Sequence, residues 1–116
     1  RSGGGAVPFF VRQAELYMRE KSSQKLTLAD VATSTGVSMR TLQNGFRDFR
    51  GTTPMAYLKS VRLNAARQKL IRSHQNECTV TEIALDCGFT HLSKFSQDYR
   101  EQFGESPSET ARRGTV

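Results

Sequence analysis

The 116 residues suffice for one compact domain or two very small ones, and are too few for a large two-domain enzyme. Seventeen Lys and Arg against eleven Asp and Glu give a formal charge of +6, which points to a polyanionic partner: nucleic acid or an anionic surface. No apolar run approaches the roughly 20 residues of a membrane-spanning helix, and Cys78 and Cys87 make neither a disulfide framework nor a four-ligand zinc site.

Residues 1–6, opening Arg1-Ser2-Gly3-Gly4-Gly5, read as a linker or cloning scar at the start of a piece of a longer protein. The first element follows, with Val7, Phe10, Val11, Ala14, Tyr17 and Met18 forming an amphipathic stripe at helical spacing. Pro8 is tolerated there because a first helical turn has no amide bond to lose. A short second helix carries Leu28, Val31 and Ala32 on one face, with Thr27 and Asp30 as a weak variant of a capping box. Gly36 makes a turn, Ser38 caps a third helix, and Met39, Leu42, Phe46 and Phe49 are its expected inward stripe. Gly51 stops that helix.

Thr53 and Pro54 open a longer helix as cap and first-turn proline, and nothing interrupts it before about Arg72. At 1.5 Å per residue it is about 27 Å long. Met55, Leu58, Leu63, Ala66 and Leu70 are its expected buried positions. Arg62 and Arg67 could meet phosphate or hold a carboxylate. Residues 73–78 are polar and read as a loop. Two further capping boxes, Thr79 with Glu82 and Ser106 with Glu109, start the last segments. No useful period-2 alternation occurs, so the expected fold is all-α with about seven helices.

The second half repeats the first. Asp30, Val31, Ala32, Gly36 and Val37 correspond to Glu82, Ile83, Ala84, Gly88 and Phe89 at an offset of 52, whereas Leu42, Phe46, Arg47, Gly51 and Pro54 correspond to Phe95, Tyr99, Arg100, Gly104 and Pro107 at 53. The single inserted residue falls in the turn after the glycine. A short helix, a glycine turn and a helix with a polar outer face make the helix-turn-helix layout. Two ordinary αα-hairpins in a bundle would share that pattern. The division is then a first helix-turn-helix subdomain over 7–53, a linker helix over 54–72, a second subdomain over 73–113 and a tail over 114–116.

In the first reading helix Arg40, Gln43, Asn44 and Arg47 point away from the apolar stripe. Arg suits bidentate contact to guanine, and Gln and Asn suit adenine. In the second, Leu92, Phe95, Tyr99 and Phe103 are expected inward and Ser93, Ser96, Gln97 and Arg100 outward. Two serines discriminate less sharply. His91 sits in the first turn and could touch a phosphate or a base edge. Residues 40–72 hold eight basic side chains against Asp48, a net of +7, and residues 73–111 hold Lys94 and Arg100 against seven acids, a net of −5. The first half is therefore the expected electrostatic anchor. Cys87 falls on an inward face with Val80, Ile83 and Ala84, and Cys78 is a loop thiol. His74 and His91 lack metal-ligand spacing with either cysteine. Without a Walker motif, a GxSxG elbow or paired carboxylates in an apolar setting, no enzyme and no cofactor are expected.

The stretches LADVATSTGVSMRTLQNGFRDFRGTTP (28–54), YLKSVRLNAARQKL (57–70) and VTEIALDCGFTHLSKFSQDYREQFGESP (80–107) resemble the DNA-binding domain of the AraC/XylS family of bacterial transcription regulators. The resemblance covers roughly residues 7–113. It implies two homeodomain-like helix-turn-helix subdomains on a linker helix, double-stranded promoter DNA as partner, and recognition helices in successive major grooves. Base contacts are then expected from Arg40, Gln43, Asn44, Ser93, Ser96 and Gln97, and phosphate contacts from Arg47, Arg50, Lys59, His91, Lys94 and Arg100. A cytoplasmic, nucleoid-associated regulator with no membrane partner is expected, activator or repressor being left open. By its charge the acidic second half either binds DNA weakly or presents a face to another protein such as RNA polymerase, a contact for which the family is known. The isolated domain is expected to be monomeric, with dimerisation left to a separate N-terminal domain. A related methyl-accepting repair regulator would need a reactive-cysteine domain that this chain lacks. The rival reading is an α-helical protein-interaction module whose basic surface only solubilises it.

Overall fold

The computed structural model describes residues 6–73 and 79–114. Those residues form seven α-helices and no strand: α1 (Phe9–Glu20), α2 (Leu28–Thr35), α3 (Met39–Arg50), α4 (Pro54–Arg72), α5 (Val80–Asp86), α6 (Leu92–Phe103) and α7 (Pro107–Arg113). No helix among them is long and apolar enough to cross a membrane. The chain divides into two compact units, with the boundary between Val61 and Arg62 inside α4. His74 and Cys78 lie outside the described residues.

Local chemistry sets the helix ends. The Thr27 hydroxyl accepts from the Asp30 amide at 3.1 Å and the Asp30 carboxylate accepts from the Thr27 amide at 3.0 Å, so this capping box is complete rather than weak. Thr79 with Glu82 and Ser106 with Glu109 make the same reciprocal pair. The Thr53 hydroxyl accepts from the Ala56 amide at 3.1 Å, and Pro54 begins α4 at a position that needs no amide. Gly51 and Gly104 close α3 and α6 in the left-handed region, at φ of 68° and 77°.

The first unit buries Val11, Ala14 and Met18 of α1, Val31 and Ala32 of α2, Leu42 and Phe46 of α3, and Leu58 of α4. Gly45 permits close approach: a Cβ there would lie 2.7 Å from the Phe10 ring. Glu15, on the packed side of α1, is only 8% exposed. Its two oxygens accept from Nε and Nη2 of Arg50 at 2.7 and 3.0 Å, tying α1 to the end of α3. That hydrogen bond is the main reason the Arg50 pKa rises above its ordinary value, against the opposing effect of burial.

The second unit buries Leu63, Ala66 and Leu70 of α4, Ile83 and Ala84 of α5, Cys87 just beyond it, and Phe95 and Tyr99 of α6. Rings run in file from Phe89 through Phe95 and Tyr99 to Phe103, with neighbouring centroids 4.6, 5.8 and 4.6 Å apart. Tilted contacts at this spacing add to simple burial. The Arg67 guanidinium lies over Phe103, 5.4 Å from its centroid, in a cation–π contact. The Tyr99 hydroxyl donates to Thr110 at 2.7 Å, Thr110 donates to Glu105, and Arg113 donates to Glu105 at 2.7 Å. This chain of bonds docks α7 on α6.

Two positions of the expected inward stripes point elsewhere. Met39 and Leu92 open α3 and α6 and are exposed, at 48% and 38%. Side chains on a helix tilt toward its N-terminus. A residue at the first position therefore overhangs the end, whatever face its angle assigns. Phe49, Phe103 and Met55 are half-buried rather than enclosed.

Candidate nucleic-acid interface

In the first unit, the turn between α2 and α3 is Gly36, Val37 and Ser38. Gly36 takes φ 76°, which L side chains rarely adopt, and the chain reverses there without strain. The Ser38 hydroxyl then accepts from the Thr41 amide at 3.0 Å and starts α3. In the second unit the turn runs from Cys87 to His91 through Gly88 at φ 101°, and from that glycine to the next helix it is one residue longer than in the first. His91 stands at the cap of α6, with β-region dihedrals and no side-chain cap bond. α3 is thus capped by a hydroxyl and α6 is not.

Leu42, Gly45 and Phe46 bury the inner face of α3, so Arg40, Gln43 and Arg47 are exposed and Asn44 is half-buried at the edge. No intramolecular hydrogen bond of the Arg40, Gln43 or Asn44 side chain is seen among the described residues. Arg47 lies 3.4 Å from Asp48. Both partners are well exposed, and such a pair contributes little and yields readily to a competing anion. On α6, Phe95, Asp98 and Tyr99 face in, and Ser93, Ser96, Gln97 and Arg100 are exposed.

Several cations of the expected phosphate set or of α4 have partners within the chain. Glu15 occupies one edge of the Arg50 guanidinium. Lys94 lies 3.4 Å from Asp98, a carboxylate only 5% exposed, so its charge is partly matched from within. Sequence gave no warning of Asp98, which occupies the position of Gly45 in the first copy. Lys59 is exposed on α4, and burial lowers the pKa of half-buried Arg62. Arg67 stacks on an aromatic ring where a carboxylate partner was one expectation. No group of His, Cys, Asp and Glu among the described residues could hold a metal ion.

A family model described as a helix-turn-helix domain matches residues 31–113. The crystal structure of a probable AraC family transcriptional regulator from Rhodopseudomonas palustris superposes with a TM-score of 0.86. It is 39% identical, and the match covers 94% of this chain and 100% of that one. The chain belongs to the AraC/XylS family of DNA-binding helix-turn-helix domains.

Among curated AraC-type relatives, a probable thc operon regulatory protein of Rhodococcus erythropolis is 46% identical over 92% of this chain and 32% of its own length. A XylDLEGF operon transcriptional activator of Pseudomonas putida is 38% identical over 90% of this chain and 32% of its own length. The chain therefore spans about a third of the length of these relatives. In this AraC-type domain the exposed faces of α3 and α6 differ in chemistry. One has an arginine and two amides, and the other two serines and one amide.

Proposed function

We propose that this domain binds double-stranded promoter DNA sequence-specifically as part of a bacterial AraC/XylS-type regulator, with α3 and α6 each reading a major-groove segment of one duplex. The observation that carries this is the pair of exposed polar faces at matching positions of a repeated helix-turn-helix. Arg40, Gln43 and Asn44 read base edges in the first segment, and Ser93, Ser96 and Gln97 read the second less sharply. Arg47, Lys59, His91, Lys94 and Arg100 meet phosphates, with Lys94 the weakest because Asp98 shares its charge. The role is binding, in the cytoplasm, without catalysis, and one chain supplies both readers.

Selection from random duplexes at physiological salt tests this reading. Two enriched submotifs are expected, about 10–10.5 bp apart for successive grooves, the sharper one belonging to α3. Arg40→Ala should cost about 1–3 kcal/mol at a single base step. Equal loss on every sequence would make Arg40 a phosphate contact. Absence of enrichment, with binding that vanishes as salt rises, would favour the protein-interaction module instead.

The acidic second half adds RNA polymerase as a proposed partner. Glu101 is exposed and suits such a contact, whereas Glu105 is half-buried and bonded to Thr110 and Arg113. Charge reversal at Glu101 tests this face, and activated transcription that did not change would remove it.

A further inference from the structure

The polar reading faces leave one shared feature unexplained. Met39 and Leu92 occupy the same place in the two copies, the first residue of α3 and of α6, at the offset of 53 that relates the reading helices. Both keep a large apolar side chain in solvent. Nothing in helix chemistry asks for this: first turns favour proline or acidic residues, which complement the helix dipole. Each residue also lies one turn before a member of the reading face, Met39 before Gln43 and Leu92 before Ser96, a spacing that makes them neighbours on the helix surface.

Recognition helices of this motif place their N-terminal residues against base edges. On the major-groove edge the one apolar feature is the 5-methyl group of thymine. We propose that Met39 and Leu92 are thymine-methyl readers, one for each segment of the DNA site, an inference that rests on α3 and α6 entering major grooves. Met39 adds an apolar contact beside the Arg40 and Gln43 hydrogen bonds. Leu92 does more, because Ser93 and Ser96 are short and permissive, and it gives the second helix a preference that those serines do not supply.

Deoxyuridine isolates the methyl group. A duplex enriched from the random pool is remade with each thymine replaced in turn by deoxyuridine, and its affinity is measured for the 116-residue chain and for Met39→Ala, Met39→Leu and Leu92→Ala. One thymine in each submotif should lose about fourfold on replacement, the value of burying one methyl. Met39→Ala should erase that sensitivity in the first submotif alone and Leu92→Ala in the second alone, whereas Met39→Leu should keep it. Both side chains are exposed, so the variants should melt with the parent, which confirms that folding is unaffected. Enrichment without any deoxyuridine sensitivity, or sensitivity that survives both alanine variants, overturns the proposal and leaves groove reading intact. Failure to enrich any duplex overturns groove reading itself, and this inference with it.

Discussion

Arg50→Ala separates a fold-holding arginine from a DNA-holding one. Its guanidinium makes a side-on, two-bond pair with Glu15 at 2.7 and 3.0 Å, joining residues 35 apart in sequence. The Glu15 side chain is 10% exposed and that of Arg50 34%. An exposed pair contributes about 0–1 kcal/mol, whereas stripping one partner from a fully buried pair costs about 3–5 kcal/mol. Solvent still reaches the arginine and screens the carboxylate it leaves behind, so the expected loss is about 1–2 kcal/mol. In a unit of this size that moves the melting midpoint by about 8–16 °C. Urea melts of Arg50→Ala, Glu15→Gln and the double variant should show coupling, since the second change costs little once the first is made. Salt dependence of DNA binding, measured well below the melt, supplies the other half. Arg47→Ala should reduce the slope of log affinity against log salt by about 0.9, the release of one phosphate's counterions, and Arg50→Ala should leave it unchanged. A slope that falls with Arg50→Ala while stability stays put would show that Arg50 serves the DNA and that its bond to Glu15 is incidental.

Burial raises the Cys87 thiol above its ordinary pKa. In a Cys78→Ser background a thiol reagent at neutral pH should therefore label Cys87 only at the rate of unfolding, and fast labelling of the folded domain would refute its packed placement. The Ser106 amide donates to Glu109 at 2.7 Å and holds that carboxyl below its ordinary value of 4.5. Because Glu109 is the stronger acid in the folded state, its contribution is complete above the ordinary carboxylate range and disappears as pH falls through the lower folded value. Thermal melts across that window should show less acid sensitivity in Glu109→Gln than in the parent. Tyr99→Phe removes the buried donor to Thr110, and denaturant melts should show a loss of about 1 kcal/mol.

Features set by neighbours in sequence were legible in advance. Ser38 beside a helical stripe, Gly51 and Gly104 after one, and the Thr79–Glu82 and Ser106–Glu109 boxes each solve a helix-end problem within four residues. The repeat made the argument stronger, because two copies rarely share a glycine, a cap and an apolar stripe at a constant offset for unrelated reasons. The polar outer faces followed from the same periodicity. Arg40, Gln43, Ser93, Ser96 and Gln97 are exposed because Leu42, Phe46, Phe95 and Tyr99 are not.

What stayed hidden depends on partners far away in the chain. The burial of Glu15 is intelligible only once Arg50 is seen across from it, and a lone acid in an amphipathic helix reads as a solvated one. Gly45 and Asp98 share a position in the repeat and both are buried, yet the causes differ. At Gly45 the Phe10 ring fills the space a side chain would need, and at Asp98 a carboxylate is enclosed with Lys94 reaching it from one turn earlier. Periodicity gives an angle around the helix and nothing about what covers that angle at a given height. Met39 has nearly the same angular claim to the core as Phe46, and it is exposed because the first turn carries it past the packed layer. A correct helical wheel therefore misassigned Met39 and Leu92, the residues at the tips of α3 and α6.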